Sequence, residues 1–180
     1  MDPSAHDRRL IPEGRADGIT ASSPVPSKAM STHFGEHWHR RFLGLSEQIA
    51  TWSKDPSRGV GAVIVSPSKQ IVSTGFNGLP RGVEDRPERL ERPVKYDLIV
   101  HAEMNAIIQC ARNGVTPIDC AIYSSFFPCV NCALAIVQSG IETVVTYRPA
   151  DGDEHWLESI EKSRVVFDEA GVAFLELERG

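Results

Sequence analysis

The stretch FFPCVNCA, residues 126–133, sets two cysteines three apart behind a proline, about 26 residues after a second polar cluster, VHAEMNAI, residues 100–107. Cys129 and Cys132 could form a disulfide, a redox pair, half of a structural zinc knuckle, or two ligands of a catalytic metal. Residues three apart are neighbours on a helix, so a helix that begins near Pro128, a good first-turn residue, aims both sulfurs at one point. The unpaired amides and macrodipole at that helix start favour the thiolate form, which is the form that binds metal.

A CxxC pair supplies two ligands, whereas a catalytic zinc takes three from the protein and keeps one position open. Cys110 and Cys120 lie in apolar surroundings (IIQCAR, IDCAIY) that suit small core residues. His101 is the better third donor. It follows an apolar approach, DLIV, and opens the next helix, so Glu103 two residues on can stand beside a metal that His101 holds. A redox pair leaves His101 and Glu103 unexplained, and a closed knuckle lacks a well-placed fourth ligand.

The chain has 180 residues, 41% of them hydrophobic, enough for one domain with a proper core. It has no apolar run of membrane-spanning length and no secretory signal pattern, so the expectation is a cytoplasmic protein with no membrane partner and reduced cysteines. Net charge is −5. Residues 1–32 balance Arg8, Arg9, Arg15 and Lys28 against Asp2, Asp7, Glu13 and Asp17, so the body carries the excess. An acidic body is a poor match for a polynucleotide and favours a small substrate.

Residues 1–32, rich in Pro, Ser, Gly and Ala, read as a disordered or loosely packed extension, and 33–180 as the functional domain. Trp38, Phe42, Leu45 and Ile49 recur as the stripe of an amphipathic helix over 36–52. Val60–Val65 and Ile71–Thr74 read as a hairpin; LPRGVEDRPERLERPVKYD reads as a long mixed-charge loop. Three later helices end at Gly114, Gly140 and Gly171, each suited to a left-handed C-cap, with strands CAIYSSF, ETVVTYR and VAFLEL between and after them. This order predicts an α/β sandwich with one antiparallel hairpin and otherwise parallel strands. His33, His37, His39 and His155 read as surface residues.

HAEMNAI followed by PCVNCA matches the H-x-E, P-C-x-x-C signature of zinc nucleobase deaminases. With SKDPSRGVGAVIV, GFNGLPRG, KYDLIVHAEMNAI and FFPCVNCALAIVQSGIETVV in order, residues 36–178 resemble the deoxycytidylate deaminase family. The resemblance implies a three-layer α/β/α cytidine-deaminase-like fold: a five-stranded mixed sheet with helices on both faces. It implies one Zn2+ per chain on His101, Cys129 and Cys132, with Glu103 as the catalytic proton carrier, and conversion of dCMP to dUMP. Substrate-contact candidates are Asn77, which matches the asparagine holding the sugar, Arg81, within reach of a phosphate, and Ala102, Ser125, Phe126 and Trp52. Trp52 stands where the family usually has arginine and Arg58 where it has a small polar residue. These departures keep a second reading open, a deaminase of another amino-base, nucleoside or modified nucleotide. A non-catalytic zinc-binding nucleotide sensor is the alternative outside enzymes. The family also implies a homo-oligomer, dimer or hexamer, with dCTP and dTTP as effectors.

Overall fold

The structure is a computed structural model that describes residues 34–150 and 156–179. The expectations for residues 1–32, His33 and His155 lie outside the described residues. The element order is α1 (Glu36–Ala50), β1 (Gly61–Val65), β2 (Ile71–Phe76), α2 (Pro87–Leu90), α3 (Lys95–Leu98), α4 (Ala102–Asn113), β3 (Ala121–Ser124), α5 (Val130–Gln138), β4 (Thr143–Tyr147), α6 (Leu157–Ala170) and β5 (Ala173–Leu177). They form one five-stranded sheet in the order β2-β1-β3-β4-β5.

Strand β1 runs antiparallel to both neighbours, whereas β3, β4 and β5 run parallel. The sheet is mixed, as expected, but it has two antiparallel pairings rather than one. The cause is the position of the hairpin, which docks on β3 through β1 rather than through β2. Alternation along the strands splits the core in two. Ala62, Ile64, Ile122 and Val144 face α4, α5 and α6, packing on Ala102, Ala106, Ala133, Ile136 and Phe167. Val63, Val65, Tyr123 and Val145 face α1, packing on Phe42, Leu43 and Ile49.

The buried stripe of α1 is His39, Phe42, Leu43, Ser46 and Ile49, rotated slightly from the one the apolar residues suggest. Two of its members are polar, which hides it from a hydrophobic pattern. His39 is therefore not a surface residue: its Nδ1 lies 3.0 Å from the Tyr123 hydroxyl, and burial lowers its pKa. His37 is exposed. The proline-rich loop contains the short helices α2 and α3. Gly114 and Gly171 do cap α4 and α6 in the left-handed conformation, and Gly140 has φ 79° just beyond α5. Among the described residues, no helix is long and apolar enough to cross a membrane.

Helix α4 lies directly on the backbone of β2. A Cβ added to Gly75 would overlap the Ala102 carbonyl oxygen and the Ala106 amide nitrogen, both backbone atoms that cannot swing aside. At Gly44, on the exposed side of α1, an added Cβ meets nothing within 4 Å. We predict that Gly75→Ala destabilises the protein by about 1–3 kcal/mol through overpacking, while Gly44→Ala stabilises it by about 0.5–1 kcal/mol by restricting the unfolded chain. Urea unfolding of both variants checks this; a shift of the same sign at the two sites contradicts the packing described.

Candidate active site

The loops that lead into α4 and α5 bring their first residues together. His101 is the N-cap of α4, with φ −70° and ψ 158°, and Cys129 is the N-cap of α5, with φ −69° and ψ 167°. Neither side chain caps its own helix, so each is free to point elsewhere. His101 Nδ1 lies 3.3 Å from Cys129 Sγ and 3.5 Å from Cys132 Sγ. The three donor atoms fall within 4.8 Å of one another, and they are the one such group among the described residues.

A tetrahedral zinc with bonds of about 2.0–2.1 Å to nitrogen and about 2.3 Å to sulfur holds its N and S donors about 3.5 Å apart. The observed spacings agree, so the residues fit zinc. The charges also suit a cation. A hydrogen bond from Cys132, with His101 alongside, drives the Cys129 thiol far below its ordinary pKa against the effect of burial. Cys132 is pushed the other way by Cys129 and by burial, so without a cation the pair shares a proton. A divalent ion removes that conflict by stabilising both thiolates.

Glu103 lies in the first turn of α4 and is 3% exposed. Burial raises its pKa; its own backbone amide, the nearby His101 and a 2.9 Å hydrogen bond from Ser124 Oγ to its Oε1 act in the opposite direction. His101, Cys129 and Glu103 all line a cavity of about 200 Å³.

Of the expected substrate contacts, Asn77, Ala102 and Phe126 line this cavity. Asn77 is held firmly: its Oδ1 accepts from the Val60 amide at 2.7 Å and its Nδ2 donates to the Arg58 carbonyl at 3.0 Å. Three others are placed outside it. Arg81 lines a separate groove along β2 and α4. Trp52 is 54% exposed and meets Phe76 edge-on at 6.1 Å. Ser125 exchanges hydrogen bonds with the Gly61 backbone, because strand alternation turns it away from the face that Ser124 takes.

Arg58, which the sequence marked only as a departure from the family pattern, lines the wall, as do Arg92, Lys95, Tyr96 and Trp156, which the sequence reading missed. Arg58 lies over the Phe126 ring at 4.1 Å, and Trp156 meets the same ring edge-on. Lys95 and Asp55 form an ion pair at 2.8 Å, with side chains 8% and 6% exposed. Nothing in the mixed charge of residues 79–97 marks Lys95 as the one that goes inside. Burial opposes the Asp55 charge, but hydrogen bonds from Lys95 and from the Ser57 and Arg58 amides outweigh it and hold the pKa below the ordinary carboxylate value.

A depressed folded-state pKa means that the stabilisation is present above the ordinary aspartate range and is lost as pH falls through the folded value. Breaking a buried pair from one side costs about 3–5 kcal/mol, because the remaining charge is uncompensated. We therefore expect Lys95→Met to be strongly destabilising at pH 7 and the deficit to shrink on acidification, as the stranded Asp55 takes up a proton. A deficit independent of pH between 7 and 4 contradicts this. Metal analysis of the purified protein should give one zinc per chain, lost in His101→Ala and Cys129→Ala; two per chain contradicts a single site.

Residues 36–148 match the family model described as the cytidine and deoxycytidylate deaminase zinc-binding region. An uncharacterised deaminase of the luxG 3′ region of Aliivibrio fischeri is 44% identical over 138 residues, covering 75% of this chain and 90% of its own length. Human deoxycytidylate deaminase is 35% identical over 145 residues, covering 76% and 78%. The crystal structure of dCMP deaminase from cyanophage S-TIM5 in complex with dCMP and dUMP is similar with a TM-score of 0.66, covering 81% of this chain and 100% of that one; at 21% identity this is a likeness of fold. The chain belongs to the cytidine and deoxycytidylate deaminase family, whose zinc-binding region it carries.

Proposed function

We propose that this protein hydrolyses the amine from a cytosine mononucleotide, converting dCMP and water to dUMP and ammonia. The observation that carries this reading is the convergence of His101, Cys129 and Cys132, with His101, Cys129 and the buried Glu103 lining one small cavity. Those three side chains would hold a zinc ion, whose Lewis acidity would make water a competent nucleophile at neutral pH. Glu103 takes one proton from the attacking water and delivers it to the ring nitrogen, then takes the second from the hydroxyl now on the ring carbon and delivers it to the departing amine. One carbon–oxygen bond forms, one carbon–nitrogen bond breaks, and no electrons are exchanged with an outside partner. Burial raises the Glu103 pKa, which brings the carboxylate closer to the range suited to proton transfer than an exposed one.

The cavity wall supports a phosphorylated substrate. Arg58, Arg92 and Lys95 line it, against Asp55 and Glu103, and Lys95 is committed to Asp55. The two guanidinium groups favour an anionic ligand over a neutral nucleoside. Arg58 also supports a second reading, a nucleotide with a different amino-base, since this residue departs from the family pattern and stacks on Phe126 inside the wall. Trp52 does not bear on that choice, because it lies outside the wall.

We further propose that the chain self-associates. Exposed Ile71, Phe76 and Ile108 lie along the open edge of β2 and the adjoining side of α4, an apolar surface that a second copy would cover. Light scattering tests the assembly.

Ammonia release from a panel of amino-bases, nucleosides and nucleotides, with and without dCTP and dTTP, tests the activity. The expected result is the highest kcat/KM on dCMP, with deoxycytidine far behind. Glu103→Gln should retain zinc and lose turnover by at least about ten-thousandfold, combining the loss of a general acid and a general base worth roughly 10²–10⁴ each. Turnover near the wild-type rate in that variant removes Glu103 from the mechanism.

A further inference from the structure

Strand β3 ends in a serine that packing does not require. Ser124 is fully buried, and its register places it between Ala62 of β1 and Thr146 of β4. Alternation turns its side chain to the same face as Ile122, into the layer formed by Ala62, Ile122, Ala102, Ala106 and Ala133. A hydroxyl in such a layer costs free energy unless it finds a partner, and alanine would avoid that cost. Its partner is Glu103 Oε1, at 2.9 Å.

We propose that Ser124 is a positioning residue for Glu103, holding one carboxylate oxygen so that the other is presented to the cavity. This rests on the reading of Glu103 as the proton carrier. Glu103 is anchored from two sides: its own backbone amide reaches the carboxylate from the first turn of α4, and the Ser124 hydroxyl reaches Oε1 from the sheet. The amide fixes the group to its own helix. Cys132 of α5 also reaches the carboxylate, but Ser124 is the contact that fixes it to the sheet, on a strand hydrogen-bonded on both sides, by β1 and by β4. The next residues of the same segment, through Phe127 to Cys129, run into the zinc-ligating turn. Ser124 thus sets the carboxylate and the sulfur ligands in one frame. Without the hydroxyl, a buried Oε1 loses its donor and the side chain has reason to rotate toward another, away from the reacting atoms.

The test compares Ser124→Ala, Ser124→Thr and Ser124→Val with Glu103→Gln, measuring kcat and KM for dCMP and zinc content. Thr and Val have nearly the same shape, so any crowding is common to both and the hydroxyl is isolated. Ser124→Ala removes one oxygen and serves if the larger side chains fail to fold. The expected result is a kcat lowered about 10- to 100-fold in Ala and Val, the range for a lost hydrogen bond to a charged group. KM should stay within about twofold, because Ser124 does not line the cavity. Zinc should be retained and Ser124→Thr should recover most of the rate. Wild-type kcat in Ser124→Ala, or equal losses in Thr and Val, with Glu103→Gln inactive, overturns the positioning role and leaves the reading of Glu103 standing. An active Glu103→Gln overturns both.

Discussion

Two helices begin at the same place, and the chemistry depends on that meeting. The first turns of α4 and α5 carry His101, Glu103, Cys129 and Cys132. Their unpaired amides and aligned dipoles make the shared point electropositive before any metal arrives. That field acts in the same direction as the Cys132 hydrogen bond, which favours the Cys129 thiolate. Each helix is held at its post by the sheet: α4 by direct contact with the glycine backbone of β2, and α5 by the short turn that leaves β3. The central strands are buried on both faces and form the platform under the site.

Above that platform the walls are made differently. Residues 53–59 and 79–99 have little regular structure, and side-chain hydrogen bonds organise them instead. Asp55 caps the Ser57 and Arg58 amides and receives Lys95; Asn77 ties the Val60 amide to the Arg58 carbonyl. These contacts place Arg58 over Phe126 and bring Arg92 and Tyr96 to the cavity.

The candidate cluster of His101, Cys129 and Cys132 was legible in the sequence because its spacing and capping context have a local cause: a proline, a CxxC, and a histidine at a helix start. The strands were legible too, since β-branched runs and glycine caps are local signals. What the sequence hid was decided at a distance. His39 and Ser46 are polar members of a buried stripe, which only Tyr123 and the sheet reveal. Lys95 looks like its four basic neighbours until Asp55, 40 residues away, claims it. Ser124 and Ser125 are adjacent and identical, yet one faces Glu103 and the other the Gly61 backbone. The two antiparallel pairings of β1 depend on which hairpin strand docks on β3, a choice the local pattern does not record.

The central claim is that two sulfurs and one imidazole hold the ion and leave a position for chemistry. X-ray absorption at the zinc edge of the purified protein reads that ligand set directly. The account predicts two sulfur neighbours at about 2.3 Å and two lighter neighbours, nitrogen or oxygen, at about 2.0–2.1 Å, one of the lighter pair being exchangeable. A third sulfur, drawn from Cys110 or Cys120, would close the site and contradict it.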